Sequence, residues 1–294
     1  MGISFAINVL DLIKGVWGFI KKMNKKEDES SSTPNEPMPS EEEIRQEYRK
    51  RIEEQIKILS GKNKTLHSLA IRELERIAEN PDLSQELKPF ICDSLCQYLS
   101  KHPDSRPAFN ALFKRERVFV AMEKEIKDAK FIKLKLSSSH TIENVNFVNC
   151  SFFDCHFHEI HFRNCNIHGG VLHECNFKDG IKFDECFFKD VHIDASYFRH
   201  VILRNLSFRE GKLSSSVILR SELLGASFIN VDMKNMTFQT CNFQMELFGQ
   251  CQITNVKFKF KDNEVERLEL MRDHLSHMGY QPCVERSSMT LIVG

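Results

Sequence analysis

Cysteine and histidine crowd one part of the chain. Cys150, Cys155, His156, His158, His161, Cys165 and Cys175 lie close together in sequence, and thiolate and imidazole are the ligands zinc prefers. The spacing argues against a metal centre. Structural zinc sites use Cys pairs about two to four residues apart, whereas these Cys are five or ten residues apart. Small buried thiols explain them better, and the histidines fall where side chains would face water. Gly169 and Gly170 form the one Gly pair, for which a tight corner is explanation enough. The chain holds no phosphate-cradling Gly loop, nucleophile elbow or zinc-protease helix. The expectation is a protein that is not an enzyme, with no metal and no cofactor.

The elements that carry these residues follow a period of five. From Ile142 the apolar positions run Phe147, Phe152, Phe157, Phe162, Ile167, Leu172 and Phe177. One inserted residue near Gly180 resets the frame to Phe183, then Phe188, Ile193, Phe198, Leu203, Phe208 and onward through Phe228, Phe238, Phe243 and Phe248 to Phe258. Two residues before each stands a mostly small one, among them Cys150, Cys155, Cys165, Cys175, Cys186, Cys241 and Cys251. A helix repeats at 3.6 residues and a strand at two, so neither explains this spacing. A chain that turns a corner every five residues does, sending two side chains inward on each short side. The expected structural core comprises Phe147, Phe152, Phe157, Phe162, Phe177, Phe183, Phe188, Phe198, Phe208, Phe228, Phe238 and Phe243.

Segments such as Cys150-Ser-Phe-Phe-Asp154, Cys155-His-Phe-His-Glu159 and Ala226-Ser-Phe-Ile-Asn230 resemble the pentapeptide-repeat family. The resemblance implies a mainly β fold, a right-handed quadrilateral β-helix with four repeats per turn, here of about six coils with backbones about 4.8 Å apart. Exposed terminal coils need caps. An N-terminal α-helical domain should cover one end and a C-terminal helix the other, opening at Asn263 with Glu266 and closing at Gly279. Val265, Leu268, Met271, Leu275 and Met278 line its apolar face. Residues 66–115, especially Leu69 to Pro81 and Phe109 to Arg115, also look like a helical segment of bacterial pentapeptide-repeat proteins that carry an N-terminal membrane segment. That second resemblance implies a bacterial origin and membrane attachment.

Residues 3–20 read as an amphipathic helix, apolar on one half and interrupted by Asn8, Asp11 and Lys14 on the other. Each mid-segment charge would cost about 2.5 to 3.5 kcal/mol in a spanning helix, so a helix lying in the membrane interface is preferred. The expected membrane contacts are Phe5, Val9, Leu12, Ile13, Val16, Trp17, Phe19, Ile20, Lys21 and Lys22. The alternatives are a short spanning helix, and a helix docked on the protein's own core or on a partner. A myristoylation signal at Gly2 is not adopted, because Ala6 stands where Ser or Thr is needed.

The resulting organisation is a membrane-associating helix over residues 1–22, a disordered linker over 23–40, an α-helical domain over 41–130, the β-helix over 131–262, and a capping helix with tail over 263–294. The linker is charged, then Ser- and Pro-rich. The helical domain opens on a Ser40–Glu43 capping box, with a last helix from Pro107 to Ala129. Ten Cys without a secretory signal imply reduced thiols.

Forty-one basic residues balance forty-one acidic ones, so no global field attracts nucleic acid or imitates it. The leading expectation is a non-catalytic, membrane-tethered scaffold on the cytoplasmic side of a bacterial membrane, binding a protein partner through its outer sides. A membrane surface is the second expected partner, nucleic acid is not expected, and homo-oligomerisation stays open. Two alternatives come with the resemblance. Some family members mimic DNA and restrain topoisomerases with a strongly acidic rod, against which the near balance of charge over the repeat region speaks. A secreted bacterial effector acting at host membranes shares the same features.

Overall fold

The computed structural model describes residues 40–294, apart from 81–86, 115–116, 139 and 245–246. Four helices come first. Helix α1 (Glu41–Leu59) opens on the expected box: Ser40 Oγ accepts the amide of Glu43, whose carboxylate accepts the amide of Ser40. These bonds hold the Glu43 carboxyl below its usual range. Helix α2 (Lys64–Ala78) is capped by Asn63 and helix α4 (Arg106–Phe113) by Ser105, each side-chain oxygen accepting a first-turn amide. Helix α3 (Leu87–Lys101) lies between them in sequence and buries Ile91, Cys92, Leu95 and Leu99.

The chain from Lys124 to Lys259 then winds into a right-handed four-sided β-solenoid of about seven turns. Each side is a parallel sheet of two- to four-residue strands. The first side is centred on Ile126, Phe147, Ile167, Phe188, Phe208, Phe228 and Phe248. The second is centred on Phe131, Phe152, Leu172, Ile193, Leu213, Met233 and Ile253. The third carries Leu136, Phe157, Phe177, Phe198, Ile218, Phe238 and Phe258, and the fourth Ile142, Phe162, Phe183, Leu203, Leu223 and Phe243.

Local chemistry explains the corners. At most corners the residue two after the central apolar one adopts a left-handed backbone, with φ of 53° at Asn149, 51° at Asp154 and 55° at Asn230. Asn, Asp and Gly tolerate that region best, and they recur there. Asn side chains also bridge coils, as Asn164 to Asn144 and Asn255 to Asn235, both at 2.8 Å. At Gly170 (φ 92°) a Cβ would lie 1.9 Å from the carbonyl oxygen of Cys150, so close approach of two coils, beyond the corner itself, demands glycine. The inserted residue is absorbed at the corner where Asp179 and Gly180 are both left-handed.

Inside, the central side chains stack. Phe157, Phe177 and Phe198 form a column with ring centroids 4.6 Å apart and interplanar angles of 9° and 4°. Phe162 and Phe183 repeat it at 4.6 Å. Phe147, Phe152, Phe188, Phe208, Phe228, Phe238 and Phe243 are buried as well, and each such side chain contributes about 1.5 to 3 kcal/mol.

Both ends are covered. At the base, α3 and α4 meet the first coil, with Phe109 packed edge-on to Phe131. At the top, helix α5 (Val265–His277) buries Leu268, Met271 and Leu275. Its Arg267 donates to the carbonyl of Cys241. A hairpin of Pro282–Glu285 and Thr290–Val293 extends the third side, antiparallel to Val256–Lys259.

Several expectations change. The solenoid starts a coil earlier than the repeat count indicates, at Lys124, where a helix running to Ala129 was expected; α4 ends at Phe113 because Lys114 turns extended. No side-chain bond from Asn263 caps α5, since Glu264 precedes the helix and Val265 is exposed. The membrane readings are withdrawn. No described helix is long and apolar enough to cross a membrane. Phe5, Val9, Leu12, Ile13, Val16, Trp17, Phe19, Ile20, Lys21 and Lys22, the residues meant to contact one, lie outside the described residues.

The inward and outward positions of one strand make a direct test. Phe177→Ala should cost about 3 to 5 kcal/mol, and Lys178→Ala on the same strand should stay within about 0.5 kcal/mol, both read as shifts of the urea midpoint.

Candidate functional site

The strand geometry sorts the Cys and His residues onto opposite surfaces. Neighbouring side chains on a strand point opposite ways, so Cys155 and Phe157 are buried while His156 and His158 are exposed. Cys150, Cys165, Cys175, Cys186, Cys241 and Cys251 all occupy the inward small position and are buried. Each thiol donates to a carbonyl of the coil below, Cys165 to Ile142 at 3.1 Å and Cys175 to Phe152 at 3.3 Å. Ser196, Ser216 and Ser221 occupy the same position; Ser196 donates to Leu172 of the coil below, and Ser216 and Ser221 donate to the carbonyls of Ser214 and Leu219 in their own coil.

Five of these seven thiols are raised above the usual thiol range, while hydrogen bonds from the thiols of Cys175 and Cys186 hold Cys155 and Cys165 below it. Burial pushes Cys150 and Cys241 up to about 11. Cys175 and Cys186, hydrogen-bonded to the thiols of Cys155 and Cys165 in the coil below and buried, are driven far above the usual thiol range. The thiolate is the nucleophile and the metal ligand, and neither role suits the raised thiols. Among the described residues, no group of three or more His, Cys, Asp or Glu side chains is arranged to hold a metal ion.

The outer surface is laced by polar ladders that join one coil to the next. His161 Nε2 meets Asp184 at 2.6 Å, and His173 Nδ1 meets Asp194 at 3.1 Å. Asp179 accepts from Arg199 at 2.6 Å and pairs with His200 at 2.9 Å, which holds its carboxyl below the usual range.

Charge is not spread evenly over the four sides. On the first, Lys189 and Arg209 adjoin Asp190 and Glu210; on the second, Lys212 is in register with Asp232, and Asp194 and Lys234 lie either side of Ser214. On the fourth, Lys182 and Arg204 face Asp184 and Glu185. The third carries Lys135, Lys178, Arg199, Arg220, Lys257 and Lys259, with Glu159 and Asp179 confined to its corner. Acidic residues stack over two coils at three corners, Asp154 beneath Glu174, Glu159 beneath Asp179 and Asp190 beneath Glu210.

One buried charge escaped the sequence reading. Lys124 fills the inward small position of the first coil, and its ammonium donates to the carbonyls of Phe119, Val120 and Met122. Burial lowers its affinity for the proton. The signal was available: Lys124, Ile126, Ala129 and Phe131 continue the spacing of small and large inward positions downstream, except that a lysine breaks the apolar rule.

The family described as pentapeptide repeats matches residues 143–179 in eight copies. No curated protein matches the chain. Among solved structures it is similar to the pentapeptide repeat protein Rfr23 from the cyanobacterium Cyanothece 51142, at 8% identity and a TM-score of 0.31, over 41% of this chain and 91% of that one. It is also similar to full-length QnrB1, a plasmid-mediated fluoroquinolone resistance protein, at 15% identity and a TM-score of 0.24, over 52% and 99%. HetL, involved in heterocyst differentiation regulation in Nostoc sp. strain PCC 7120, matches at 7% identity and a TM-score of 0.16, over 45% and 84%.

Two expectations about partners and place are corrected here. A membrane surface as partner and a location at the cytoplasmic face of a membrane rested on the N-terminal segment, and no described helix is long and apolar enough to cross a membrane. The exclusion of nucleic acid rested on the overall charge balance. That balance fails side by side, with a basic third side and paired acidic corners; the exclusion is dropped.

Thiol burial is directly measurable. Iodoacetamide on the native protein should label Cys283, the one exposed Cys, while all ten react after unfolding. Rapid native labelling of Cys155 or Cys175 would contradict the inward placement.

Proposed function

We propose that the protein works by binding, as a scaffold whose solenoid sides hold a partner protein. The observation that carries this reading is the division of the solenoid between a core filled by stacked Phe rings and outer sides whose polar residues are locked in ladders between coils. Such sides are rigid before binding, which lowers the ordering cost of association. The test is co-purification by the full-length chain, repeated with charge-reversing variants of each side in turn. A partner retained in stoichiometric amount and lost with the variants of one side supports the scaffold. Retention of nothing, or retention indifferent to all four sides, removes it.

A second reading, modulation of a topoisomerase by DNA mimicry, is favoured over membrane tethering. The solenoid through which it would act stands in the described structure, whereas the tethering segment lies outside the described residues. Its physical basis would be the acidic corner pairs Asp154 with Glu174, Glu159 with Asp179 and Asp190 with Glu210. Mimicry of a duplex needs a continuous negative stripe, and these pairs run for two coils each.

A DNA gyrase supercoiling assay separates the readings. The scaffold reading expects unchanged supercoiling at protein concentrations equal to those of the enzyme. Inhibition that is relieved by Glu174→Gln with Glu210→Gln would establish the modulator reading instead.

A further inference from the structure

The third side differs from the others in shape of charge as well as amount. At mid-height Tyr197, Val217 and Leu219 form a half-buried apolar patch, with Val217 in register above Tyr197 and Leu219 above Arg199. Basic residues frame it: Lys178 and Arg199 below, Arg220 at the corner, and Lys257 and Lys259 above, across Thr237 and Gln239. An apolar centre within a charged rim is the anatomy of a recognition surface.

Its size narrows the occupant. Below the hairpin, seven coils at about 4.8 Å give a face about 30 Å tall, and five residues per side make it about 15 Å wide. That area, roughly 450 Å², falls short of the roughly 800 Å² that each partner buries in a standard interface between globular proteins. An extended segment of about nine residues spans the height. The patch is mainly aliphatic, with Tyr197 as its single aromatic ring, and this suits apolar side chains better than stacked bases, which need several π faces.

We propose that the third side binds an acidic, extended peptide segment of another protein. Its apolar side chains lie on Tyr197, Val217 and Leu219, and its carboxylates face Lys178, Arg220, Lys257 and Lys259. This assignment rests on the scaffold reading and names the side and the chemistry of the partner.

Fluorescence anisotropy with the full-length chain tests it, using a labelled peptide of alternating Glu and Leu about nine residues long, a Glu and Ser peptide of equal length, and a single-stranded oligo-dT of equal charge. The expected result is saturable binding of the Glu and Leu peptide, weaker for the Ser version and weaker in high salt. Lys178→Glu with Lys257→Glu should lower its affinity about tenfold or more, and Lys182→Glu with Lys212→Glu, on the fourth and second sides, should leave it unchanged. If the reversal variant loses its circular dichroism spectrum, Lys178→Gln with Lys257→Gln replaces it. Absence of saturable binding, equal loss in the control variant, or tighter binding of oligo-dT would each overturn the assignment. The scaffold reading stands or falls separately: a partner retained in co-purification but lost with variants of another side would sink the third-side assignment and leave the scaffold intact.

Discussion

The structure depends on one set of interactions, the backbone hydrogen bonds that run along the solenoid axis from each coil to the next. The amide of Asn176 donates to the carbonyl of Cys155 at 2.8 Å, and the amide of Tyr197 to Cys175 at 2.8 Å. Such bonds repeat around the coil only if the chain turns by the same amount every five residues. The left-handed corner residue makes that turn, and the inward Phe or Leu anchors it. A buried backbone group left without a partner costs about 1 to 3 kcal/mol, so the corner residue and the central apolar residue are coupled: losing either strips partners from the coils above and below. The same coupling makes the ends vulnerable. At the base a lysine ammonium and α4 close the first coil, and at the top α5 and the hairpin do so with unrelated chemistry.

A fixed inside and outside also decides what the protein can do. Thiols that would be reactive on a loop are turned inward and bonded to carbonyls. Histidines that would be acid or base candidates in a cleft are turned outward, several onto carboxylates of a neighbouring coil. The chemistry-bearing residues of the sequence therefore serve cohesion between coils. What is left for function is the pattern of side chains on flat, preformed sides, where position along the axis and choice of side set the contact.

Much of this was legible in the sequence because the solenoid is specified by local spacing. Phe152, Phe157 and Phe162 announce three successive sides within a dozen residues, and no long-range pairing must be guessed. The first coil was harder. There Lys124 stands at an inward position and six residues, in place of five, separate Leu136 from Ile142, so the period is hidden although the strands pair normally with the coil above. The hairpin at the C-terminus was also missed, since Pro282 to Glu285 carries no five-residue signal and finds its place only by pairing across the end of the third side. The distribution of charge among sides was the least accessible feature. Total charge is read directly, but which charges share a side depends on the register between coils, and a single inserted residue at Gly180 shifts every assignment after it.

The central claim is that apolar residues about twenty positions apart stack in the interior. The most direct measurement is a set of nuclear Overhauser contacts among ring protons of Phe157, Phe177 and Phe198 in selectively labelled protein. With neighbouring centroids 4.6 Å apart, the account predicts strong cross-peaks between Phe157 and Phe177 and between Phe177 and Phe198, and none between Phe157 and Phe198 directly. Rings that show no mutual contact and exchange magnetisation with bulk water instead would contradict it.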